Sequence, residues 1–212
     1  MKNIPTFITE YGIASITLEK IPYTSQAYIT IQKASDVAKL LQECLDFCCA
    51  AGAEYVFASG NQNINDYPMF TQIVSMSRPL EGMQCTDAAI FPVQKETLVQ
   101  WRDIYNEKMR NVPNAAFLTI RDSEKLLESG KCYFVYRGST LLGIGVVGDN
   151  KIDAIATTVP GAGRDVLTAL CNCLDGPSVS LEVAISNLPA VRLYEKLGFL
   201  KTGIVSTWYK IK

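Results

Sequence analysis

Apolar and polar residues alternate in two stretches near the start of the chain, residues 13–20 and residues 26–32. An alternation of period two is typical of strands with one buried face, and Pro22 between them predicts a hairpin turn. A helix then opens at Asp36 and ends at Gly52, because apolar residues recur there at helical spacing. The apolar positions of this helix are Val37, Leu40, Leu41, Cys44, Leu45 and Cys48.

The pattern weakens after this helix. Residues 54–58 predict one more strand, but residues 60–84 are rich in Asn, Pro and Ser and favour no element clearly. We therefore place a boundary near residue 85. It separates an N-terminal α/β segment, residues 1–85, from a second part, residues 86–212.

The second part shows clearer periodicity. Its predicted strands are residues 88–92, 131–137, 140–147, 151–159 and 178–185, with a final strand pair within 199–212. Its predicted helices are residues 95–109, 123–128, 164–174 and 189–197. A strand, a helix and a strand in succession favour parallel pairing across a crossover. The order predicts a mixed α/β (α+β) fold whose mostly antiparallel sheet is flanked by helices and contains a parallel strand pair around the helix at Arg164.

A faint internal repeat connects the two parts. Asp36-Val37 and Cys44-Leu45-Asp46 echo Asp165-Val166 and Cys173-Leu174-Asp175. A duplicated half-domain explains the similarity, and so does coincidence between two amphipathic helices.

Charge and composition narrow the function. The 212 residues carry 20 basic and 21 acidic side chains, a formal charge of -1, with no long run of one sign. This balance gives no electrostatic footprint for nucleic acid or an anionic membrane, so we expect a small-molecule or peptide partner. The first residues resemble no secretory signal and no stretch is long enough to cross a bilayer, which predicts a cytoplasmic protein. The seven cysteines show no disulfide spacing, so we expect reduced, buried thiols.

The chain contains no histidine. A Ser/His/Asp triad, a Cys/His pair and most zinc sites need an imidazole and are therefore excluded. Acid and base chemistry would fall to Glu, Asp, Tyr, Lys, Cys or a bound water, and we expect no metal.

The most specific motif spans residues 181–199. It reads Leu-Glu-Val-Ala-Ile-Ser-Asn-Leu-Pro-Ala-Val-Arg-Leu-Tyr-Glu-Lys-Leu-Gly-Phe. This run closely resembles the signature of the GNAT superfamily of acyl-CoA N-acyltransferases, and the element order from about residue 88 to 212 agrees with that family. The resemblance implies a GNAT acetyltransferase domain over residues 86–212 with a central splayed parallel strand pair, and acetyl-CoA as cosubstrate. The N-terminal segment would then be a degenerate GNAT half-repeat packed on it.

The resemblance assigns roles within this motif. It implies that Tyr194 protonates the departing thiolate, and that Glu182, directly or through water, deprotonates the amine. Asn187 and Ala190 would contact the pantetheine arm of coenzyme A. Each residue also has an ordinary interpretation: Tyr194 as a core aromatic, Glu182 as a solvated strand carboxylate and Asn187 as a helix cap.

A second motif is a glycine turn that opens a helix. Unpaired amides at a helix start attract a pyrophosphate, although glycines also serve ordinary turns. By resemblance, the coenzyme-binding residues are Thr157, Thr158, Val159, Gly161, Ala162, Gly163, Arg164 and Asp165. The loop is about five residues shorter than the family pattern. Asp165 adds a negative charge near the expected phosphates, which Arg164 would offset.

The sequence thus favours an N-acetyltransferase in which a primary amine attacks acetyl-CoA directly, without a covalent enzyme intermediate. One alternative is a non-catalytic GNAT-like module that binds acyl-CoA. Another is a structural or dimerising protein, and homodimerisation stays open in each case. The acceptor amine would be recognised by residues 95–128 and the N-terminal segment, which carry no interpretable motif.

Overall fold

A computed structural model describes residues 5–60, 64–113 and 115–212. The chain divides into two compact units. Unit 1 comprises residues up to Ile73, Pro113–Phe117 and Ile204–Lys212, and unit 2 comprises Val74–Val112 and Leu118–Gly203. None of the helices in these described ranges has the length and apolar character required to span a membrane.

The elements follow one another in this order along the chain. The first are β1 (Thr6–Thr9), β2 (Gly12–Thr17), α1 (Ile21–Thr24), β3 (Gln26–Ala34), α2 (Val37–Ala50), β4 (Tyr55–Gly60) and β5 (Met69–Pro79). Then come β6 (Ala89–Pro92), a 3-10 turn (Lys95–Thr97), α3 (Leu98–Met109), α4 (Ile120–Glu128), β7 (Cys132–Arg137), β8 (Thr140–Val147), β9 (Lys151–Thr157), α5 (Gly163–Cys171), β10 (Ser178–Ala184), α6 (Leu188–Lys196) and β11 (Leu200–Lys210).

Unit 1 contains a sheet with the strand order β1-β2-β3-β4-β11-β5. Strands β2 and β3 form the antiparallel hairpin expected from the alternation, and the short helix α1 contains Pro22. Helix α2 begins where it was expected, because the Asp36 carboxylate accepts a hydrogen bond from the Lys39 amide at 3.1 Å. It buries its apolar face, which includes Leu40 and Cys44, against the strands.

Strands β3 and β4 of unit 1 are parallel and fully paired. Their register runs without interruption through six pairs, from Gln26 opposite Tyr55 to Ile31 opposite Gly60. The C-terminal end of β11 joins β4 on its other edge, with Tyr209 opposite Ala58. Unit 1 therefore receives one of its inner strands from a segment far away in sequence.

Unit 2 contains strands in the order β11-β5-β10-β9-β8-β7-β6. Strands β6 to β9 form an antiparallel meander, and β9 and β10 are parallel as the crossover through α5 predicted. Helix α5 packs closely on β8, because a Cβ at Gly145 would lie 2.3 Å from Leu170. The mixed, mostly antiparallel fold predicted from the sequence is confirmed.

The predicted strand pair at the end of the chain is wrong. The single strand β11 (Leu200–Lys210) takes the place of the predicted pair, and Gly203 lies inside it without the positive φ of a turn. Besides β4, it pairs with β5, which lies in the segment that showed only weak patterns. Hydrogen bonds from Gln72 to Thr207 at 3.3 Å in unit 1, and from Thr202 to the carbonyl of Ser75 at 3.2 Å in unit 2, connect these strands.

The seven cysteines are free, and four of them are fully buried. Burial raises the pKa of Cys44 to about 11, and burial raises that of Cys48, Cys132 and Cys171 to about 12, from the usual 9.0. A thiol with a raised pKa in the folded state stabilises the protein fully below the unfolded pKa. This contribution is lost as the pH rises from 9 through 12.

We therefore expect stability to fall between pH 8 and pH 10, in the presence of a reductant. Each buried thiol that ionises only on unfolding lowers the free energy of unfolding by about 1 kcal/mol at pH 10. Four such thiols should therefore lower Tm by about 10 °C. Thermal unfolding monitored by circular dichroism measures this shift. The double variant C48A/C171A should lose less stability over the same pH interval, and an equal loss in variant and wild type would contradict the assignment to thiols.

Candidate functional site

Strands β9 and β10 separate shortly after they begin to pair. Their register contains only Ser180 opposite Lys151 and Leu181 opposite Ile152, whereas β9 stays paired with β8 as far as Thr157 opposite Gly143. Beyond Ile152, β9 continues for five residues, or roughly 16 Å, with one edge facing the gap. This fork, formed by residues 153–157 and 182–184, leaves backbone groups that an extended ligand could pair with.

Glu182 is the first residue of β10 beyond the last registered pair, so it lies where the fork begins. It is exposed, whereas Leu181 and Val183 on either side are buried. Its Oε1 accepts a hydrogen bond from Lys151 Nζ at 2.6 Å, and the same ammonium lies 3.9 Å from Asp153 Oδ1. The alternation expected for Glu182 is thus present, together with a cationic partner that the sequence did not reveal.

Tyr194 lies on the buried face of α6. Its side chain is 5% exposed and belongs to the core cluster that includes Val183, Leu197 and Phe199. Burial raises the pKa of Tyr194 to about 12. The phenol is therefore fully protonated at neutral pH, as a proton donor must be, and its ring also fills a place in the core.

The start of α5 has no side-chain cap. The Asp36, Thr119 and Asn187 side chains cap α2, α4 and α6, but the Ncap of α5 is Ala162, and no side chain accepts its amides. The first hydrogen bond of α5 runs from the Val166 amide to the Ala162 carbonyl at 3.0 Å. The amides of residues 163–165 come before this bond and have no acceptor within the helix, so they can face an anion.

Helix α6 lies directly beside the start of α5. A Cβ on Gly163 would be 2.7 Å from Leu193 Cδ2 and 4.0 Å from Thr157 Cγ2. The glycine therefore allows α5, α6 and the end of β9 to approach closely. The residue that precedes Tyr194 therefore lies against the helix start, and Gly163 in turn lies close to the end of β9.

Asp165, the third residue of helix α5, forms an ion pair with Arg137 at the end of strand β7. Its Oδ1 accepts hydrogen bonds from Arg137 at 2.9 Å and from Thr86 Oγ1 at 3.1 Å. The sequence suggested only Arg164 as the residue that offsets this charge, whereas the guanidinium that pairs with Asp165 comes from the end of β7. Arg164 itself is exposed.

The other predicted residues take ordinary backbone positions around the fork. The Thr158 amide donates to the Leu142 carbonyl at 2.9 Å, and the Val159 carbonyl accepts from the Ala162 amide at 3.2 Å. Gly161 has φ +82°, the turn conformation expected of it, and Asn187 caps α6 by accepting from the Ala190 amide at 3.4 Å. Within the part of the chain that the structure describes, no group of three or more acidic or cysteine side chains could hold a metal ion.

Sequence reasoning missed three contributors to this site. Arg137 and Lys151 stand in strands where a charged residue predicts only a solvated face, so no motif marked them. Gly143 was also missed, although a Cβ there would lie 2.3 Å from the Ala156 carbonyl and 3.0 Å from Val166. The pair Gly143 and Gly145 inside a strand was the one available signal, because glycine in a strand marks a close approach.

Comparison with known proteins identifies the fold. No protein-family model matches the sequence, and no curated protein matches it. Solved structures do match it: a GCN5-related N-acetyltransferase from Sphaerobacter thermophilus has 11% identity and a TM-score of 0.53, covering 94% of this chain and 76% of its own. A GNAT-family acetyltransferase from Colwellia psychrerythraea has 13% identity and a TM-score of 0.51 over 98% of this chain and 84% of its own.

A conserved protein of unknown function from Staphylococcus epidermidis is similar over 99% of this chain and 94% of its own, with 11% identity and a TM-score of 0.57. At identities of 11% and 13%, these similarities show the fold alone and say nothing about individual residues. The chain therefore has the fold of the GNAT N-acetyltransferases.

Proposed function

We propose that the chain is an acyl-CoA-dependent N-acyltransferase that uses acetyl-CoA and a primary amine. The observation that carries this proposal is the fork between β9 and β10, which opens toward the uncapped start of α5. The pyrophosphate of coenzyme A would bind the amides of residues 163–165. The pantetheine arm would pair with the free edge of β9 and place its sulfur inside the fork.

The residues of the fork could then carry out the transfer. Glu182, directly or through a water, accepts a proton from the attacking amine, whose ammonium form has no free lone pair. The amine nitrogen forms a bond to the acyl carbon as the bond to sulfur breaks. Tyr194 donates its proton to the departing sulfur, and an amide near Thr157 polarises the acyl oxygen. Asn187 and Ala190 would line the pantetheine path beside α6.

The raised pKa of Tyr194 is compatible with this role. A phenol with a pKa of about 12 is a poor donor to a solvated thiolate, whose pKa is about 8.5, a mismatch of roughly 4 to 5 kcal/mol. Burial, however, raises the pKa of the chain's own thiols to about 11 or 12 as well. A coenzyme sulfur enclosed in the fork would be affected similarly, so the two groups would become matched.

We further propose that unit 1 is a degenerate copy of the same half-domain. Gly12 in β2 and Gly143 in β8 occupy equivalent places. A Cβ on either glycine would lie 2.3 Å from a carbonyl of the next strand, β3 or β9. It would also lie about 3 Å from the fourth residue of the helix that follows that strand, Leu40 in α2 or Val166 in α5. The copy in unit 1 has no fork, because β3 and β4 remain paired over six positions. The Asp36 carboxylate also occupies the start of α2. Unit 1 should therefore bind no coenzyme.

Titration calorimetry with coenzyme A tests these proposals, and we expect one binding site per chain. The variant R164P removes one amide that precedes the first helical hydrogen bond of α5. The same chain accepts proline at the second position of α6, where Pro189 stands. R164A removes the same side chain and keeps the amide. We expect R164P to bind coenzyme A about tenfold or more weakly than R164A, since a hydrogen bond to a charged group contributes about 1.5–3 kcal/mol.

Several outcomes would contradict the proposal. Absence of coenzyme A binding to the wild type at millimolar concentration would remove the coenzyme assignment and the enzymatic function with it. Equal affinities of R164P and R164A would show that the amides of α5 do not hold the pyrophosphate. Two equal sites per chain would show that unit 1 is not degenerate.

The alternative function is a module that binds acyl-CoA without catalysing transfer. The observation that favours it is the burial of Tyr194 in the core cluster, which explains the residue without chemistry. The two functions differ in one measurement, the consumption of acetyl-CoA when primary amines are supplied.

A further inference from the structure

Arg137 connects three segments of unit 2 at the start of α5. It ends β7, opposite Thr140, and its guanidinium reaches two carboxylates. Nε donates to Asp87 Oδ1 at 2.7 Å, and a terminal nitrogen lies 2.9 Å from Asp165 Oδ1. These two hydrogen bonds raise the pKa of Arg137, so the guanidinium keeps its charge.

Asp165 is the less exposed of the two carboxylates. Its side chain is 28% exposed, compared with 71% for Asp87, so its charge is screened less by solvent. Thr86 donates a second hydrogen bond to the same oxygen, and the Ala88 amide donates to Thr86 Oγ1 at 3.2 Å. The Asp165 carboxylate is thus held in one place by groups from two other segments.

In this position the Asp165 carboxylate would repel an anion bound at the start of α5. Its own amide is one of the three that precede the first hydrogen bond of α5, so its carboxylate lies within one side-chain length of them. Two negative groups at such a distance repel each other strongly when they are partly desolvated. A cation paired with Asp165 would offset this repulsion, and the ion pair of Asp165 is with Arg137, whereas Arg164, one residue earlier in α5, is exposed.

We propose that Arg137 is the residue that sets the affinity of the coenzyme site, by neutralising Asp165 beside the pyrophosphate. This inference rests on the proposed coenzyme A binding. Arg137 acts through Asp165 and is therefore a positioning residue: it stands at the end of β7, far in sequence from the glycine turn. The ligand class it selects is a phosphate ester with more than one negative charge, for which an uncompensated carboxylate is most costly.

A double-mutant cycle measured by calorimetry with coenzyme A tests this inference. We expect R137M to weaken the Kd about tenfold or more and D165N to leave it equal or tighter. The double variant R137M/D165N should return to within about threefold of the wild type, because with Asp165 neutral there is no charge left to compensate. The weakening in R137M should also shrink as salt is raised from 50 to 500 mM.

Two control variants separate charge from architecture. T86V removes the second hydrogen bond to Asp165 and keeps both charges, and D87N removes the other partner of Arg137. Both should bind coenzyme A within about threefold of the wild type. If R137M fails to fold, R137K supplies the same charge with different geometry and should keep most of the affinity.

The results distinguish this inference from the proposed function. If the wild type does not bind coenzyme A, the proposed function fails. If the wild type binds and R137M binds equally well, the neutralising role fails alone. If R137M/D165N stays as weak as R137M, Arg137 acts by direct phosphate contact or by holding residues 84–88, and the inference is overturned as well.

Discussion

Tyr194→Phe should lower the rate of acyl transfer about a hundredfold or more, with little change in coenzyme A affinity. General acid catalysis typically contributes 10²- to 10⁴-fold, and this exchange removes only the hydroxyl. The ring would stay in place, since it packs in the core with its centroid 5.9 Å from that of Phe199. The rate is measured as acetyl-CoA consumption with an accepted primary amine, and the affinity by calorimetry.

A matched control is available in the same unit. Tyr105 in α3 is 8% exposed, packs against Trp101 and has a pKa that burial likewise raises to about 12. Tyr105→Phe should therefore change stability about as much as Tyr194→Phe, by about 1 kcal/mol or less, and leave the rate unchanged. If both variants turn over at the wild-type rate, Tyr194 is a packing residue and the chemistry needs another donor.

Replacing Trp208 with Ala should destabilise unit 1 by about 3–5 kcal/mol, the usual cost of removing a buried aromatic side chain. Trp208 lies in the C-terminal half of β11 and is 3% exposed. Its ring meets Tyr28 edge to face at 5.3 Å, and Tyr28 in turn contacts Phe57. The loss would open a cavity in this aromatic cluster and loosen the strand that pairs with β4.

Urea unfolding followed by far-ultraviolet circular dichroism measures this effect. The control is Val205→Ala in the same strand, because Val205 is 52% exposed. Beyond the change in strand propensity, this substitution should lower the free energy of unfolding by less than about 0.5 kcal/mol. Equal midpoints for the two variants would show that β11 does not stabilise unit 1.

Local patterns predicted the elements that form the candidate site. These patterns involve residues that are neighbours in sequence: the alternation in β9 and β10, the glycine turn, and the helical spacing of Leu193, Tyr194 and Leu197. The parallel arrangement of β9 and β10 follows from the strand-helix-strand crossover between them. The fork could be expected only through resemblance, because periodicity does not show where two strands stop pairing.

Contacts between distant residues could not be predicted in the same way. Strands β5 and β11 are separated by most of unit 2, and neither shows which partner it takes. No local pattern showed that the chain continues through Gly203 as one strand instead of forming the expected pair within residues 199–212. The ion pair of Arg137 with Asp165 joins positions 28 residues apart on a strand and a helix, and a sequence shows both only as polar residues.

The discontinuous composition of unit 1 has a consequence for protein synthesis. Its strands β1 to β4 leave the ribosome first, but the segment Ile204–Lys212 that pairs with β4 follows only after the whole of unit 2 has been made. Domains usually fold in the order of their synthesis, with the N-terminal one first. Here the earlier half must wait with the β4 edge exposed, so nascent chains should depend on chaperones until the ribosome has completed β11.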